Sequence, residues 1–465
     1  MGLGLYTCAD GADLNSSYLA AVGATTIWDA HFFWPYQGMF LPPNATWASN
    51  TGGGEELACG AGWRHGDVAS RARVAASYAS ARGAGLRTLA YFNLFHFGQD
   101  VEWPLPAPPP PPAAADAWTN SSLFLAANLS ASVLAGPEYD WQNSIVLDPA
   151  NPVRADFLVA QVAEKVSAFG AALEGIVIDE LIPSTMINFS PEGAGGGGWA
   201  TAWCGATCRF LLPGWAAVAA RVAGALRADG LRRTMLANFI GAQRIDVLSS
   251  ADGVFSENYL ASRVALTNVV GLATTGKPPA IVWTNSEADI TSTPGGADAF
   301  FSRHVYMKTF PMAPSLGADH AISDGAPQAV LRAYADWGPI FLALTGACWH
   351  LAATPVAVSP PPAIANAFTL GGGCTSPDVE SGNGPVAALL LFACLPPQAA
   401  PAPVASVVNM SFVAPAGISP TPACEAISPG GAWATLPAPS RGGGDGRWQL
   451  QALGLSRGAV LVRCV

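Results

Sequence analysis

The sequence predicts an eight-fold (β/α) barrel, that is, a TIM barrel, followed by a small all-β domain. Over the first part of the chain, short apolar runs alternate with amphipathic stretches at helical spacing. The apolar runs are continuous rather than alternating, as parallel strands buried on both faces require. The chain has 465 residues, enough for one barrel of about 250 residues with loop insertions and one smaller domain.

Eight apolar runs are the predicted barrel strands. In chain order they are Leu3–Ala9, Ala24–Phe33, Leu86–Phe97, Gly175–Glu180, Thr234–Phe239, Gly253–Tyr259, Ala280–Asn285 and Ile340–Thr345. Helical spacing of apolar residues predicts helices at Leu14–Val22, Asp67–Arg82, Arg154–Phe169 and Leu211–Ala228. Long insertions follow the third and fourth strands, at residues 98–150 and 183–210. The first insertion contains the proline tract Pro104–Pro112, which is restricted to loop or polyproline II structure.

The domain boundary is predicted at a proline-rich link, Ser359–Pro362. The barrel is expected over residues 1–355 and the second domain over residues 363–465. Beyond the link, glycine and proline separate short apolar runs such as Val386–Phe392, Val404–Phe412 and Ala459–Cys464. This pattern is typical of a small antiparallel β-sandwich.

Composition excludes several classes of function. The net charge is −10 and no basic stripe is present, so a nucleic-acid partner is not expected. No apolar run reaches the roughly 18 residues that span a bilayer, and nothing implies a protein partner. The lysines Lys165, Lys277 and Lys308 are not at strand ends, which argues against Schiff-base chemistry. Without a His-x-His pair or a phosphate-binding glycine loop, we expect neither a metal nor another cofactor.

Two features favour a secreted or lumenal glycoprotein. Acceptor sequences of the N-x-Ser/Thr type begin at Asn15, Asn44, Asn120, Asn128, Asn188 and Asn409. The chain also has nine cysteines, for which disulfides are favoured over buried thiols, with at least one cysteine unpaired. Cys204 and Cys208 are expected to be bonded to each other. Since no signal peptide is recognisable, the leader is expected to be missing from this sequence.

The carboxyl ends of barrel strands, where barrel active sites are built, collect polar and aromatic residues here. In strand order these are Asp29, His31, Trp34, Asn93, His96, Asp179, Glu180, Asn238, Glu257, Trp283, Asn285, Glu287, Trp349 and His350. Glycosidic bond cleavage needs two acids: one protonates the leaving oxygen, and the other attacks the anomeric carbon or activates a water. Asp179 or Glu180 facing Glu257 meets this requirement.

Tryptophan usage indicates a carbohydrate substrate. Of fifteen tryptophans, most fall at predicted strand ends or in the loops that follow them. Indole rings stack on the C–H faces of sugars, while asparagine and histidine bind hydroxyl groups. The alternative is that the long insertions use tryptophans as hydrophobic anchors. For the whole set, the carbohydrate interpretation is favoured.

The run EGIVIDE, which ends at Asp179 and Glu180, resembles the strand-four signature of several glycoside hydrolase barrels. The families whose motif is most similar in sequence are the endo-galactosaminidase and spherulin-like glycosidases. In those families an Asp-Glu pair works with a glutamate from a later strand. The resemblance therefore implies that Asp179 and Glu180 are catalytic and that Glu257 is the third acid.

Two catalytic pairings compete within this interpretation. In the first, Asp179 is the nucleophile and Glu257 the acid/base. In the second, Glu180 is the acid/base and Glu287 the nucleophile. The first is preferred because Glu257 directly follows a predicted strand. The sequence thus predicts a glycoside hydrolase of a poly- or oligosaccharide; the alternative is a carbohydrate-binding barrel that does not catalyse.

Overall fold

The structure of the protein is a computed structural model. It describes residues 3–7, 24–29, 46–48, 68–93, 96–97, 145–146, 152–179, 187–188, 199–200, 207–238, 249–256, 281–283, 290, 293, 295–311, 328–350, 355–371, 386–396, 407–442 and 446–465. The predicted helix Leu14–Val22 and the proline tract Pro104–Pro112 lie outside these residues.

The chain forms two compact units. The N-terminal unit consists of Tyr6–Ser16 and Ile27–Phe255, and the C-terminal unit of Met1–Leu5, Ser17–Thr26 and Ser256–Val465. No described helix is long and apolar enough to cross a membrane. The predicted division into a barrel and a C-terminal domain stays a prediction.

The strands of the first 311 residues are short, and helices follow several of them. The strands are β1 (Leu3–Thr7), β2 (Ala24–Asp29), β3 (Thr46–Ala48), β4 (Val68–Ser70), β5 (Arg87–Asn93), β6 (His96–Phe97), β7 (Ile145–Val146), β8 (Gly175–Asp179), β9 (Ile187–Asn188), β10 (Trp199–Ala200), β11 (Thr207–Phe210), β12 (Thr234–Asn238), β13 (Gly253–Ser256), β14 (Ile281–Trp283) and β15 (Phe310–Pro311). The helices are α1 (Arg71–Gly83), α2 (Pro152–Phe169), α3 (Leu211–Leu226), α4 (Gly296–Met307) and α5 (Gln328–Ala343).

Eight of these strands form one sheet in chain order: β1, β2, β5, β8, β12, β13, β14 and β15. In the N-terminal unit, β5 pairs with β8, β8 with β12, and β12 with β13, all in parallel. In the C-terminal unit, β14 and β15 are also parallel. Parallel strands that pair in a sheet need a crossover connection. Helix α2 lies in the connection between β5 and β8, and α3 lies in the connection between β8 and β12. This order is the one that the sequence predicts for a (β/α) barrel.

The central strand β8 is apolar because both of its faces are buried. Ile176, Val177 and Ile178 are fully buried, as a parallel strand covered on both sides requires. Its first residue, Gly175, lies so close to the neighbouring strands that a Cβ atom would overlap the carbonyl oxygen of Thr234 and the side chain of Leu89. Only glycine permits this close approach at the amino end of β8.

The buried guanidinium of Arg233 ties together the chain segments at the amino ends of β8 and β12. Arg233 is 3% exposed. Its Nε donates to the carbonyl of Leu173 at 2.8 Å, Nη1 to that of Leu226 at 3.0 Å, and Nη2 to that of Gly170 at 2.9 Å. Nη2 also donates to Asp229 Oδ2 at 2.8 Å, and this bond lowers the pKa of the Asp229 carboxyl. One side chain therefore binds the carbonyl at the end of α3 and two carbonyls between α2 and β8, in the 3₁₀ turn Gly170–Ala172 and just after it.

The predicted eighth strand, Ile340–Thr345, is wrong, because Ile340 lies within helix α5. The eighth strand of the sheet is β15 instead. In α5 the buried residues recur at helical spacing, at Val330, Leu331, Tyr334, Trp337, Ile340 and Phe341. Leu342, in the middle of the apolar run, is 59% exposed. A short apolar run has the same appearance in a buried helix and a buried strand, and Pro339 inside the helix obscured the helical pattern.

The C-terminal part of the chain contains two antiparallel sheets. Its strands are β16 (Cys348–Trp349), β17 (Val356–Ser359), β18 (Ile364–Gly371), β19 (Val386–Cys394), β20 (Val407–Phe412), β21 (Cys424–Ile427), β22 (Ala434–Thr435), β23 (Ser440–Arg441), β24 (Trp448–Gly454) and β25 (Ala459–Cys464). The six-stranded sheet has the order β16-β18-β19-β25-β21-β22, and the four-stranded sheet the order β17-β20-β24-β23. Residues of both sheets share one core, including Leu389, Leu391, Met410, Phe412 and Val462.

Among the described cysteines of this part of the chain, some are disulfide-bonded and one is unpaired, as the sequence predicts. Cys424 and Cys464 lie opposite each other on β21 and β25 and form a disulfide. Cys348 is also disulfide-bonded, whereas Cys394 is free and buried. The predicted bond between Cys204 and Cys208 cannot be placed, because Cys204 lies outside the described residues.

Within the C-terminal unit, Arg457 connects the turn between β24 and β25 to helices α4 and α5. Its Nε donates to Asp298 Oδ2 at 3.0 Å, and its Nη1 forms an ion pair with Asp336. The hydrogen bond to Asp298 is the main cause that raises the pKa of Arg457. Trp337 Nε1 donates to the same Asp298 carboxylate at 2.9 Å. The turn is therefore held on both helices by one cation.

The end of α4 and the start of β15 bury two ionisable groups. The ring of His304 is hydrogen-bonded through Nδ1 to the hydroxyl of Thr309 at 2.7 Å. Burial, with a smaller effect from Arg303, lowers the pKa of His304 to about 3. Lys308 is also buried, and burial lowers its pKa to about 7. Both groups precede β15, so they lie at its amino end.

The first prediction concerns Gly175. We expect Gly175→Ala to lower the free energy of unfolding by about 1–3 kcal/mol, because the added methyl group has no space between β8 and β12. Chemical denaturation measures this change. The control is Gly224→Ala, at an exposed helical position where a Cβ meets nothing within 4 Å. The control should stabilise the protein by about 0.5–1 kcal/mol; equal effects at the two positions would contradict the packing argument.

The second prediction concerns Arg233. Arg233→Met removes the side-chain donor from the buried carbonyls of Leu173 and Leu226, so we expect it to lower the free energy of unfolding by about 3–5 kcal/mol. The matched control is Arg232→Met at the adjacent exposed position, with an expected change within about 0.5 kcal/mol. Urea unfolding of both variants tests the prediction. A change below about 1 kcal/mol for Arg233→Met would show that water replaces its hydrogen bonds.

The third prediction concerns pH. The folded protein keeps His304 neutral down to a pKa of about 3, whereas the unfolded chain binds a proton near its ordinary pKa of 6.5. The unfolded state therefore holds more protons between these values, and stability should fall as pH drops from 6.5 towards 3. We expect His304→Asn to reduce this dependence by an amount on the order of a few kcal/mol. Unfolding free energies at pH about 7 and about 4 measure it; parallel pH profiles would refute the assignment.

Candidate functional site

The candidate site lies at the carboxyl ends of the parallel strands in the N-terminal unit. Asp29, Asn93, Asp179 and Asn238 are the last residues of β2, β5, β8 and β12. Each strand thus ends at one of the polar residues selected from the sequence. The structure describes the backbone of these four residues, and strand register gives the relative levels of Asn93, Asp179 and Asn238.

Strand register places three of these residues at one level. Asn93 pairs directly with Asp179. On the other side of β8, Ala237 pairs with Ile178, so Asn238, one residue further on, is level with Asp179. Neighbouring strands are about 4.8 Å apart. The backbone of Asp179 is therefore flanked on both sides, within one strand spacing, by an asparagine.

The register continues on to β13. Asn238 pairs with Phe255, and β13 ends at Ser256. Glu257 is the next residue along the sequence. Glu257 itself lies outside the described residues. The separation between the two proposed catalytic carboxylates stays a prediction.

The opposite ends of the same strands are closed by structural hydrogen bonds. The amide N–H of Thr88 donates to Glu174 Oε2 at 3.2 Å, and the amide of Thr234 donates to the carbonyl of Glu174 at 2.9 Å. Arg233 fills the space beside them. The Glu174 side chain at the amino end therefore helps to hold β5 and β8 together.

The other residues selected from the sequence are distributed as follows. Trp283 is the last residue of β14, in the C-terminal unit, and His96 begins β6, which pairs antiparallel with β7. The residues His31, Trp34, Glu180, Asn285 and Glu287 lie outside the described residues. Among the described residues, no group of three or more histidine, cysteine or acidic side chains could hold a metal ion.

Trp349 and His350 occupy a different place from the one expected. They were predicted to follow the eighth barrel strand, but Trp349 belongs to β16 and pairs with Phe368 of the six-stranded sheet. Its ring packs edge-on against that of Phe368 at 5.8 Å. The amide of His350 donates to the carbonyl of Ala367 at 3.0 Å, and burial lowers the pKa of its ring. Their displacement follows from the misassigned strand at Ile340–Thr345.

The sequence was sufficient to predict which polar residues end the strands, but not which of them lie side by side on neighbouring strands. Apolar runs and the first polar residue after them were a sufficient signal for Asn93, Asp179 and Asn238. Level depends on hydrogen-bond register, which no pattern within a single strand specifies. The buried groups Arg233 and His304 were not singled out, because an isolated basic residue beside an apolar run gives no signal of burial.

Comparison with solved structures identifies the fold. A cycloisomaltooligosaccharide glucanotransferase from Paenibacillus sp., complexed with cycloisomaltoheptaose, matches 99% of this chain and 85% of its own at 8% identity and a TM-score of 0.60. A maltogenic alpha-amylase from Thermotoga neapolitana matches 100% of this chain and 98% of its own at 9% identity and a TM-score of 0.52. An alpha-amylase from Geobacillus thermoleovorans, complexed with acarbose, matches 100% and 98% at 10% identity and a TM-score of 0.51.

At such low identity these similarities concern the fold alone. No family model matches the chain, and no curated protein matches it. The narrower resemblance of EGIVIDE to the endo-galactosaminidase and spherulin-like glycosidases is not shown by the structures that match. The chain therefore has the fold of the amylase-type (β/α)8 barrel proteins.

Proposed function

We propose that the protein is a glycoside hydrolase that cleaves O-glycosidic bonds of an oligo- or polysaccharide with two carboxylates. The observation that carries this proposal is the position of Asp179 at the carboxyl end of β8, level with Asn93 and Asn238. Barrel enzymes build their active sites at this end of the sheet. An acid between two carboxamide residues combines a reactive group with residues suited to binding sugar hydroxyls.

In this proposal Asp179 is the nucleophile and Glu257 the acid/base. Glu257 protonates the leaving oxygen while the Asp179 carboxylate attacks the anomeric carbon; Glu257 then deprotonates the water that releases the sugar. We expect Glu180, the residue after Asp179, to lie near enough to both acids to influence their pKa values. A neighbouring carboxylate and partial burial raise the pKa of a proton donor, which suits catalysis near neutral pH.

The substrate that we propose to test first is a glucose oligosaccharide. The matching structures include a glucanotransferase bound to cycloisomaltoheptaose and an alpha-amylase bound to acarbose. Trp34 and Trp283 would provide stacking surfaces for such rings, and Asp29, His31, His96 and Asn285 would bind their hydroxyls. No cofactor is required by a two-carboxylate mechanism.

The fourth prediction concerns the catalytic pair. On the glycan that the wild type cleaves, Asp179→Asn and Glu257→Gln should each lower kcat by about 10²–10⁴-fold while leaving glycan affinity within a few-fold. The matched control is Glu174→Gln, which changes an acid at the amino end of the same strand and keeps a hydrogen-bond acceptor for Thr88. Its kcat should equal that of the wild type.

The same variants distinguish the alternatives. If both keep near-wild-type kcat, Asp179 and Glu257 are not the pair, and Glu180 with Glu287 becomes the pairing to test. If the wild type binds glycans of a broad panel but releases no product from any, the protein is a carbohydrate-binding barrel.

Azide added to Asp179→Gly identifies the nucleophile, because azide attacks the anomeric carbon in place of the missing carboxylate and yields a glycosyl azide.

The anomeric form of the first product reports the geometry of the two acids. Carboxylates about 5–5.5 Å apart give retention through a covalent intermediate, and a separation of about 6.5–9.5 Å gives inversion with a bound water. Proton NMR of the fresh product distinguishes these outcomes before mutarotation. Retention is expected if Asp179 is the nucleophile, and inversion would assign it instead as the base that activates water.

A further inference from the structure

The outer face of the four-stranded sheet carries an asparagine at an irregular position. Asn409 lies on β20, where it pairs with Ser359 of β17. On its other side the register with β24 shifts between Val408 and Met410. At this shift Ala452 has a left-handed backbone with a φ of 57°. The irregularity is a β-bulge, which leaves one backbone donor of β24 outside the regular ladder.

The side chain of Asn409 satisfies that donor. The amide N–H of Ala452 donates to Asn409 Oδ1 at 2.9 Å. The side-chain oxygen is thereby fixed against the bulge, and Nδ2, on the opposite side of Cγ, makes no hydrogen bond to any residue that the structure describes. Asn409 is exposed, so its Nδ2 is open to solvent on the face of the sheet.

The neighbourhood of Asn409 is suited to a sugar. Asn409, Met410 and Ser411 form an N-x-Ser acceptor sequence. Asn409 lines a groove of about 240 Å³, whose other polar side chains include Ser359, Gln449 and Gln451 and whose remaining lining is apolar. Hydroxyl and amide groups of this kind form hydrogen bonds with sugar hydroxyls without requiring a charged ligand.

The same strand also exposes an apolar side chain. Val407, two residues before Asn409 and therefore on the same face of β20, is 47% exposed. A bulky polar group attached to Asn409 would cover it. The disulfide between Cys424 and Cys464 in the adjoining sheet agrees with folding in an oxidising compartment, where such a group is attached.

From these observations we propose that Asn409 carries an N-linked glycan whose first sugars lie over the groove beside β20. The donor is an oligosaccharide linked to a lipid pyrophosphate. A bond forms between Asn409 Nδ2 and C1 of the first sugar, the bond from C1 to the pyrophosphate oxygen breaks, and Nδ2 loses one proton. The product is still an amide, so Oδ1 keeps its hydrogen bond to Ala452.

The test uses the full chain, exported with an added signal peptide from a eukaryotic secretory host. Peptide N-glycosidase F in heavy-oxygen water converts a glycosylated asparagine to a labelled aspartate, which mass spectrometry reads at the peptide containing Asn409. Wild type and Ser411→Thr should both show the label. Ser411→Ala should lose it, because the acceptor sequence is destroyed.

The sharpest control is Asn409→Asp, which keeps an oxygen for the Ala452 amide but removes Nδ2. It should fold as the wild type does and lose the mass of one glycan. A secreted reporter glycoprotein made in the same cells confirms that the host attaches glycans. An unlabelled Asn409 peptide in the wild type, with the reporter glycosylated, overturns the proposal.

A second measurement tests whether the glycan covers the sheet. Light scattering on heating should rise earlier for Asn409→Asp than for the glycosylated wild type, because Val407 is uncovered. Adding Val407→Thr to Asn409→Asp should restore the wild-type onset. If Asn409→Asp and the wild type aggregate alike, the glycan does not lie over β20.

Discussion

The N-terminal unit depends on the buried guanidinium of Arg233. Three carbonyls, two from the segment between α2 and β8 and one from the end of α3, converge on it, and the side chain is only 3% exposed. A buried cation of this kind is stable only when its donors are satisfied. Since the carbonyls come from segments on both sides of β8, their positions are fixed relative to one another.

This constraint acts at the amino ends of the strands, whereas the proposed site lies at their carboxyl ends. At the amino ends, Arg233 binds the segments that precede β8 and β12, and Gly175 lies in close contact with Thr234. Strand register brings Asp179 level with Asn93 and Asn238. The C-terminal unit uses a comparable device, since Arg457 holds one turn on α4 and α5 through Asp298 and Asp336.

Most strands of the sheet were predictable from the sequence, because an apolar run bounded by polar residues or glycine is a local signal. Ala459–Cys464 of the six-stranded sheet was assigned with its observed bounds, and Gly175–Asp179 and Thr234–Asn238 of the eight-stranded sheet were assigned within one residue. The eighth strand was not. Phe310–Pro311 is too short to give a pattern, and the apolar run that replaced it in the prediction belongs to a helix buried over most of its surface.

The sequence by itself determined the alternation of strands and helices, the antiparallel C-terminal sheets and the residue types at the strand ends, because each is encoded in the order of polar and apolar residues. The tertiary structure decided which of those residues share a level, which cysteines meet, and that Trp349 and His350 belong to the six-stranded sheet. These outcomes depend on hydrogen-bond register and on contacts between segments far apart in the chain. Local pattern carries no information about either.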